Sequence, residues 1–141
     1  MAEGFVPSPH LKLASQQNFT APDVESSGKA VFSATLAPFL RKAIERADGS
    51  ARKTMFEAVR SGAGTDQRCV VENPPIPLAV ANGSEDPFIN LDYLDRLHYA
   101  HLWEKRCHRL PRLGHAPFWE APELFNPFLE RFLRDVSTGA A

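Results

Sequence analysis

The chain has 141 residues, an ordinary length for one domain, and its 43% of hydrophobic residues suffices for a core, which excludes wholesale disorder. Sixteen Lys and Arg balance seventeen Asp and Glu, so the formal charge of −1 offers no electrostatic ground for nucleic acid or an anionic membrane as partner. No stretch approaches the roughly eighteen apolar residues of a membrane helix, and the N-terminus lacks the basic segment and apolar run of a secretory signal. Two widely separated cysteines, Cys69 and Cys107, fit no metal or redox spacing and read as reduced, mostly buried thiols of a cytosolic protein.

No internal repeat is present. At Asn73-Pro74-Pro75 the pattern changes from helical to alternating strand and helix. The change divides the chain into an irregular and helical region over 1–72, an α/β region over 73–136 and a small-residue tail over 137–141.

Gly4, Pro7 and Pro9 make the first fifteen residues read as irregular. Thr20-Ala21-Pro22-Asp23 has the capping Thr, early Pro and first-turn acid of a helix start, and that helix is expected to end near Gly28. Leu36, Phe39, Leu40, Ala43 and Ile44 fall on one helical stripe, broken by Asp48-Gly49-Ser50, where Ser50 can cap the next helix. Met55, Phe56 and Val59 form a narrower stripe, closed by Ser61-Gly62.

Beyond the prolines, Ile76 to Ala81 is a continuous apolar run, as expected of a strand buried on both faces, and Asn82-Gly83-Ser84 reads as the turn that ends it. Asn90 can cap a short helix carrying Leu91, Leu94 and Leu97, and Arg106 to Pro111 reads as a second strand. Leu124, Phe125, Phe128, Leu129, Phe132 and Leu133 recur at helical spacing in the strongest periodic signal of the chain. Strand, helix, strand, helix is the grammar of a parallel α/β sheet.

In such sheets functional groups gather just beyond the C-terminal ends of strands. Two loops occupy those places: Asn82 to Phe88, which carries Asp86, and Leu113 to Glu120, which carries His115. With neighbouring strands the two side chains emerge together. An Asp accepting from one imidazole nitrogen fixes the tautomer and stabilises the imidazolium formed when the other nitrogen takes a proton.

The string Pro-Leu-Ala-Val-Ala-Asn-Gly-Ser-Glu-Asp-Pro-Phe resembles the acid-bearing strand and loop of α/β-hydrolases. Gly-His-Ala-Pro-Phe-Trp-Glu-Ala-Pro-Glu-Leu-Phe is similar to their histidine loop and closing helix. His115 follows Asp86 by 29 residues, room for one helix and one strand as in that family. The resemblance covers about residues 72 to 136 and implies a partial α/β-hydrolase: a helical cap region followed by two parallel strand–helix units. On it Asp86 matches the triad acid and His115 the triad base, and residues 10 to 70 resemble the cap inserted over the active site. Met55 to Ala58 and Asp66 to Arg68 would then lie on the return from cap to core.

The family's nucleophile elbow, Gly-x-Ser-x-Gly or an Asp variant, does not occur, nor does the His-Gly string of the oxyanion hole. Family order places both before residue 1, so the resemblance implies a truncated hydrolase of small esters, epoxides or haloalkanes, inactive alone because its base has nothing to activate. It also implies an apolar strand edge without neighbours, open to pairing with a second copy or with a complementing chain that supplies the nucleophile. A non-enzymatic binding or dimerisation module is the competing reading.

Blander roles accompany these. Asp86 can be a turn residue and His115 a satisfied loop histidine. Glu85 and Glu120 read as solvated or helix-capping, Glu120 by its charge near the start of the last helix. Phe118 and Trp119 read equally as substrate-pocket lining and as core packing. His98, His101, Cys107 and His108 match no zinc spacing, with Cys107 and His108 on opposite strand faces, so neither a metal nor a cofactor is expected. Arg41, Lys42, Arg46, Arg52, Lys53 and Arg60 alternate with acids as a solvated face.

Overall fold

The computed structural model describes residues 2–32 and 36–139; Met1, residues 33–35 and the last two alanines of the tail lie outside the described residues. Eight helices and a two-stranded parallel sheet are present among them. No helix among the described residues is long and apolar enough to cross a membrane.

The first fifteen residues are more regular than the breakers suggest. A 3₁₀ turn spans Ala2–Gly4, and α1 spans Pro9–Ala14. Pro9 stands in the first turn, where a missing N–H costs nothing, and the Ser8 hydroxyl accepts from Leu11 N at 3.3 Å. The same logic starts α2 (Ala21–Phe32): Asp23 Oδ2 accepts from both the backbone N–H (2.8 Å) and the hydroxyl (2.6 Å) of Thr20. This helix does not stop near Gly28 as expected. A Cβ at Gly28 would lie 2.4 Å from Leu36 Cδ2, so the glycine is a notch that admits Leu36 against the helix. A packing glycine and a terminating glycine look alike in sequence.

Helix α3 spans Pro38–Arg46 and α4 Gly49–Arg60. Asp48, and not Ser50, caps α4: its Oδ1 accepts from Ser50 N at 2.9 Å and from the Ser50 hydroxyl at 2.6 Å. Helix α5 (Gln67–Glu72), absent from the sequence reading, is capped in the same way by Asp66. Several basic residues of this half are paired or stacked: Arg41 and Lys29 with Glu25, Lys53 with Glu57, Arg52 over the Phe19 ring.

Strands β1 (Ala81–Gly83) and β2 (His108–Leu110) run parallel in the register Ala81↔His108, Asn82↔Arg109, Gly83↔Leu110. The expected strand over 76–81 is therefore shifted. Ile76 is 65% exposed, and Asn82 and Gly83 belong to the ladder instead of a turn. The cause lies in the partner segment. Leu78 bonds His101 and Trp103, but a 3₁₀ turn at Trp103–Lys105, with Glu104 and Lys105 at positive φ, interrupts the pairing. It resumes where His108 N donates to Val80 O at 2.8 Å.

Between the strands lies α6 (Leu91–Asp95), capped by the Asn90 side chain, which accepts from Tyr93 N at 3.1 Å. After β2 come α7 (Pro117–Glu120) and α8 (Pro122–Thr138). The core of this half is Trp103, 2% exposed, whose ring meets Phe128 and Phe132 of α8 and whose Nε1–H donates to Asp135 Oδ2 at 2.9 Å.

Candidate functional site

Parallel pairing of β1 and β2 delivers the two following loops to the same end of the sheet, and backbone bonds join them. Ser84 N donates to Leu110 O at 2.8 Å, Glu85 N to Leu113 O at 2.9 Å, and Arg112 N to the Ser84 hydroxyl at 2.9 Å. The histidine loop crosses directly over Gly83. A Cβ there would stand 2.1 Å from the carbonyl oxygens of Leu113 and Gly114, a clash with backbone that cannot move aside cheaply.

Asp86 is fixed before any histidine reaches it. Its Oδ1 accepts from Phe88 N at 2.8 Å and Ile89 N at 3.2 Å, a side-chain turn that aims Oδ2 across the gap. Oδ2 meets His115 Nδ1 at 2.9 Å. The Asp86 side chain is 1% exposed and that of His115 36%, so the pair is rooted in protein and open at the imidazole end. Burial pushes the Asp86 carboxyl up, but hydrogen bonds from His115, Phe88 and Ile89, with the charge of His115, outweigh it and hold the group below the ordinary carboxylate value. An ionised carboxylate only accepts, so Nδ1 is the donor and the Nε2 lone pair is left to take a proton. The Phe88 ring, edge-on to the imidazole at 4.7 Å between centroids, limits its swing.

Three residues beside the pair, Glu120, Phe118 and Trp119, complete its surroundings. Glu120 is neither free in solvent nor a cap of α8: its Oε2 accepts from Gly114 N at 2.9 Å and its Oε1 from Ala116 N at 3.1 Å. Phe118 and Trp119 lie outside the cavity that contains His115. Trp119 meets Phe39 of α3 edge-on at 5.4 Å and Phe118 faces Phe125, because α7 turns both rings back toward other helices. The cavity beside His115, about 170 Å³, is lined instead by apolar side chains from the N-terminal half and the acid loop, including Leu11, Val31, Phe56 and Phe88, with His10 and Ser27 as polar members.

His98 and His101 are exposed, and no group of three or more potential metal ligands occurs among the described residues. His108 is buried between Trp103 and Phe128 while Cys107 faces the Leu94 carbonyl. Burial pushes the Cys107 thiol up. Contrary to the expectation of two mostly buried thiols, Cys69 is exposed and Cys107 partly so. Sequence reasoning missed the notch at Gly83 and the loop bonds of Glu120. A glycine closing a strand and an acid five residues past the histidine were their only traces.

No family model and no curated sequence matches the chain. Among solved structures it is similar to N-acyl homoserine lactonase AidH: a mutant complexed with N-hexanoyl homoserine lactone superposes with a TM-score of 0.92 at 39% identity over 96% of this chain. It is also similar to 2-hydroxy-6-oxo-6-phenylhexa-2,4-dienoate hydrolase from Rhodococcus sp. strain RHA1 (TM-score 0.66, 20% identity, 92% of this chain). Carboxylesterase CesB from Bacillus subtilis (TM-score 0.66, 17% identity, 92%) shares the fold as well. The chain spans about half the length of each: 50%, 50% and 46% respectively.

Proposed function

We propose that this chain, which has the fold of the C-terminal part of an α/β-hydrolase, carries the acid and the base of a nucleophilic hydrolase in Asp86 and His115. The observation that carries this reading is the 2.9 Å bond from an almost wholly buried carboxylate to an imidazole whose far side is open. His115 Nε2 takes the proton of a nucleophile's hydroxyl as its oxygen attacks a carbonyl, then returns that proton to the departing oxygen. Asp86 stays ionised throughout and stabilises the imidazolium.

The nucleophile comes from polypeptide outside these 141 residues, in the same protein or in a complementing chain. The helices before residue 72 act as a cap, a role supported by the contribution of Leu11, Val31 and Phe56 to the cavity beside His115. An apolar cavity at the base fits the acyl part of an ester or lactone, and the 39% identity to a lactonase makes N-acyl lactones the substrate class to try first. The two free thiols support a reducing, cytoplasmic location. A second reading, self-association without catalysis, is favoured by the exposed Leu124, Leu129, Leu133 and Val136 on α8.

Coexpression with the nucleophile-bearing half of a related lactonase tests the first reading. Ring opening of N-hexanoyl homoserine lactone, followed by proton release, is expected only when both halves are present and is expected to vanish with His115→Ala. Hydrolysis by the chain alone, or hydrolysis indifferent to His115, would contradict it.

A further inference from the structure

We infer that Glu120 is the positioning residue of His115, acting through the two peptide groups that flank it. Asp86 is held by its own turn, so the geometry of the pair depends on what holds the histidine loop. That loop has few fixings of its own. Helix α7 has a single turn, and its N-cap, Ala116, has no side-chain acceptor to offer. Ala116 is 1% exposed, so water does not readily serve its N–H. The Glu120 carboxylate closes both gaps at once, taking Ala116 N at 3.1 Å and Gly114 N at 2.9 Å. The residue between those two donors is His115.

Without the carboxylate two amide donors lose their partner, and one of them, on almost wholly buried Ala116, has no ready replacement in water. The loop offsets that loss by shifting toward solvent, and the shift carries the imidazole away from Asp86 Oδ2. The claim about position stands on these contacts alone; its consequence for catalysis rests on the acid–base reading of the pair.

The test reads the ring nitrogens of His115 by ¹⁵N NMR in the full chain, above the imidazole titration. The Nδ1–H tautomer is expected to dominate, held by Asp86. Glu120→Ala is expected to lose that preference in a protein that still melts cooperatively. Glu120→Gln keeps one acceptor and guards against a failure of the alanine variant to fold; its Nδ1 proton is expected to exchange with water several-fold faster than in the unmodified chain. Asp86→Asn separates the two ideas. With its oxygen kept by Phe88 and Ile89, the amide NH₂ faces Nδ1 and should reverse the tautomer. If Asp86→Asn leaves the tautomer unchanged, the pair itself is refuted and the inference falls with it. If Asp86→Asn reverses it while a folded Glu120 variant keeps both tautomer and exchange unchanged, the pair stands and Glu120 is not its positioning residue.

Discussion

His108 and His115 lie seven positions apart in sequence and have opposite surroundings. His115 opens to a cavity, whereas His108 is buried against Trp103 and Phe128 with Nε2 unpaired, 3.6 Å from the nearest Glu104 oxygen. Burial lowers the His108 pKa, the positive charges of Arg106 and Arg131 lower it further, and Glu104 opposes them. The unfolded chain therefore takes up this proton at a higher pH than the folded one. Stability contributed by neutral His108 is complete above the ordinary imidazole value of 6.5 and is lost as pH falls through the lower folded value. Asp86, whose carboxyl is also depressed, contributes its own loss only below its ordinary value of 3.8. The melting temperature is thus expected to drop between pH 7 and pH 5, and His108→Phe, which keeps the aromatic packing, is expected to flatten that drop. An equal drop in both proteins would contradict the assignment.

At the scale of elements, short polar caps set where helices begin, and two of these were legible: Thr20 and Asp23 for α2, Asn90 for α6. Legible too was the parallel order that brings the Asp86 and His115 loops to one end of the sheet. What escaped was set by distant partners. Gly28 is a notch only because Leu36 fills it, and β1 slides toward Gly83 because the chain opposite turns at Glu104. Glu120 read as solvated or helix-capping, and its tie to the histidine loop escaped because both bonds go to backbone, which no side-chain pattern encodes. The attachment of α8 makes the same point. Phe128 and Phe132 of its stripe meet the Trp103 ring as the periodicity predicts, but the polar bond from the Trp103 indole to Asp135 beside them was not legible. Asp135→Ala leaves that buried N–H unpaired and is expected to cost about 1–3 kcal/mol, read as a Tm lower by several degrees. An unchanged Tm would show that water replaces the carboxylate.

The molecule as a whole exposes more surface than its mass warrants. A compact monomer of 15.7 kDa should present about 7,300 Å², and this chain presents 9082 Å². The excess is roughly twice what one partner contributes to a standard protein interface. Some of the exposed surface is apolar: Leu129, Leu133 and Val136 form an outer stripe on α8, and Leu78 and Val80 help line an opening of about 300 Å³ beside β1. Such faces associate. Sedimentation of the chain alone is expected to show species larger than a monomer at micromolar concentration, shifted toward monomer by Leu133→Lys. A clean monomer unaffected by that substitution would mean that the exposed stripe is tolerated in water.

Asp86 and His115 are proposed to act as one catalytic unit, and the decisive experiment is a double-mutant cycle in the two-half enzyme. With kcat for lactone opening as the readout, His115→Ala and Asp86→Asn are each expected to lower the rate by about ten-thousandfold, and the double variant no further than the worse of the two. Losses that multiply, or an Asp86→Asn enzyme as fast as the unmodified one, would show that the 2.9 Å bond between them is structural only.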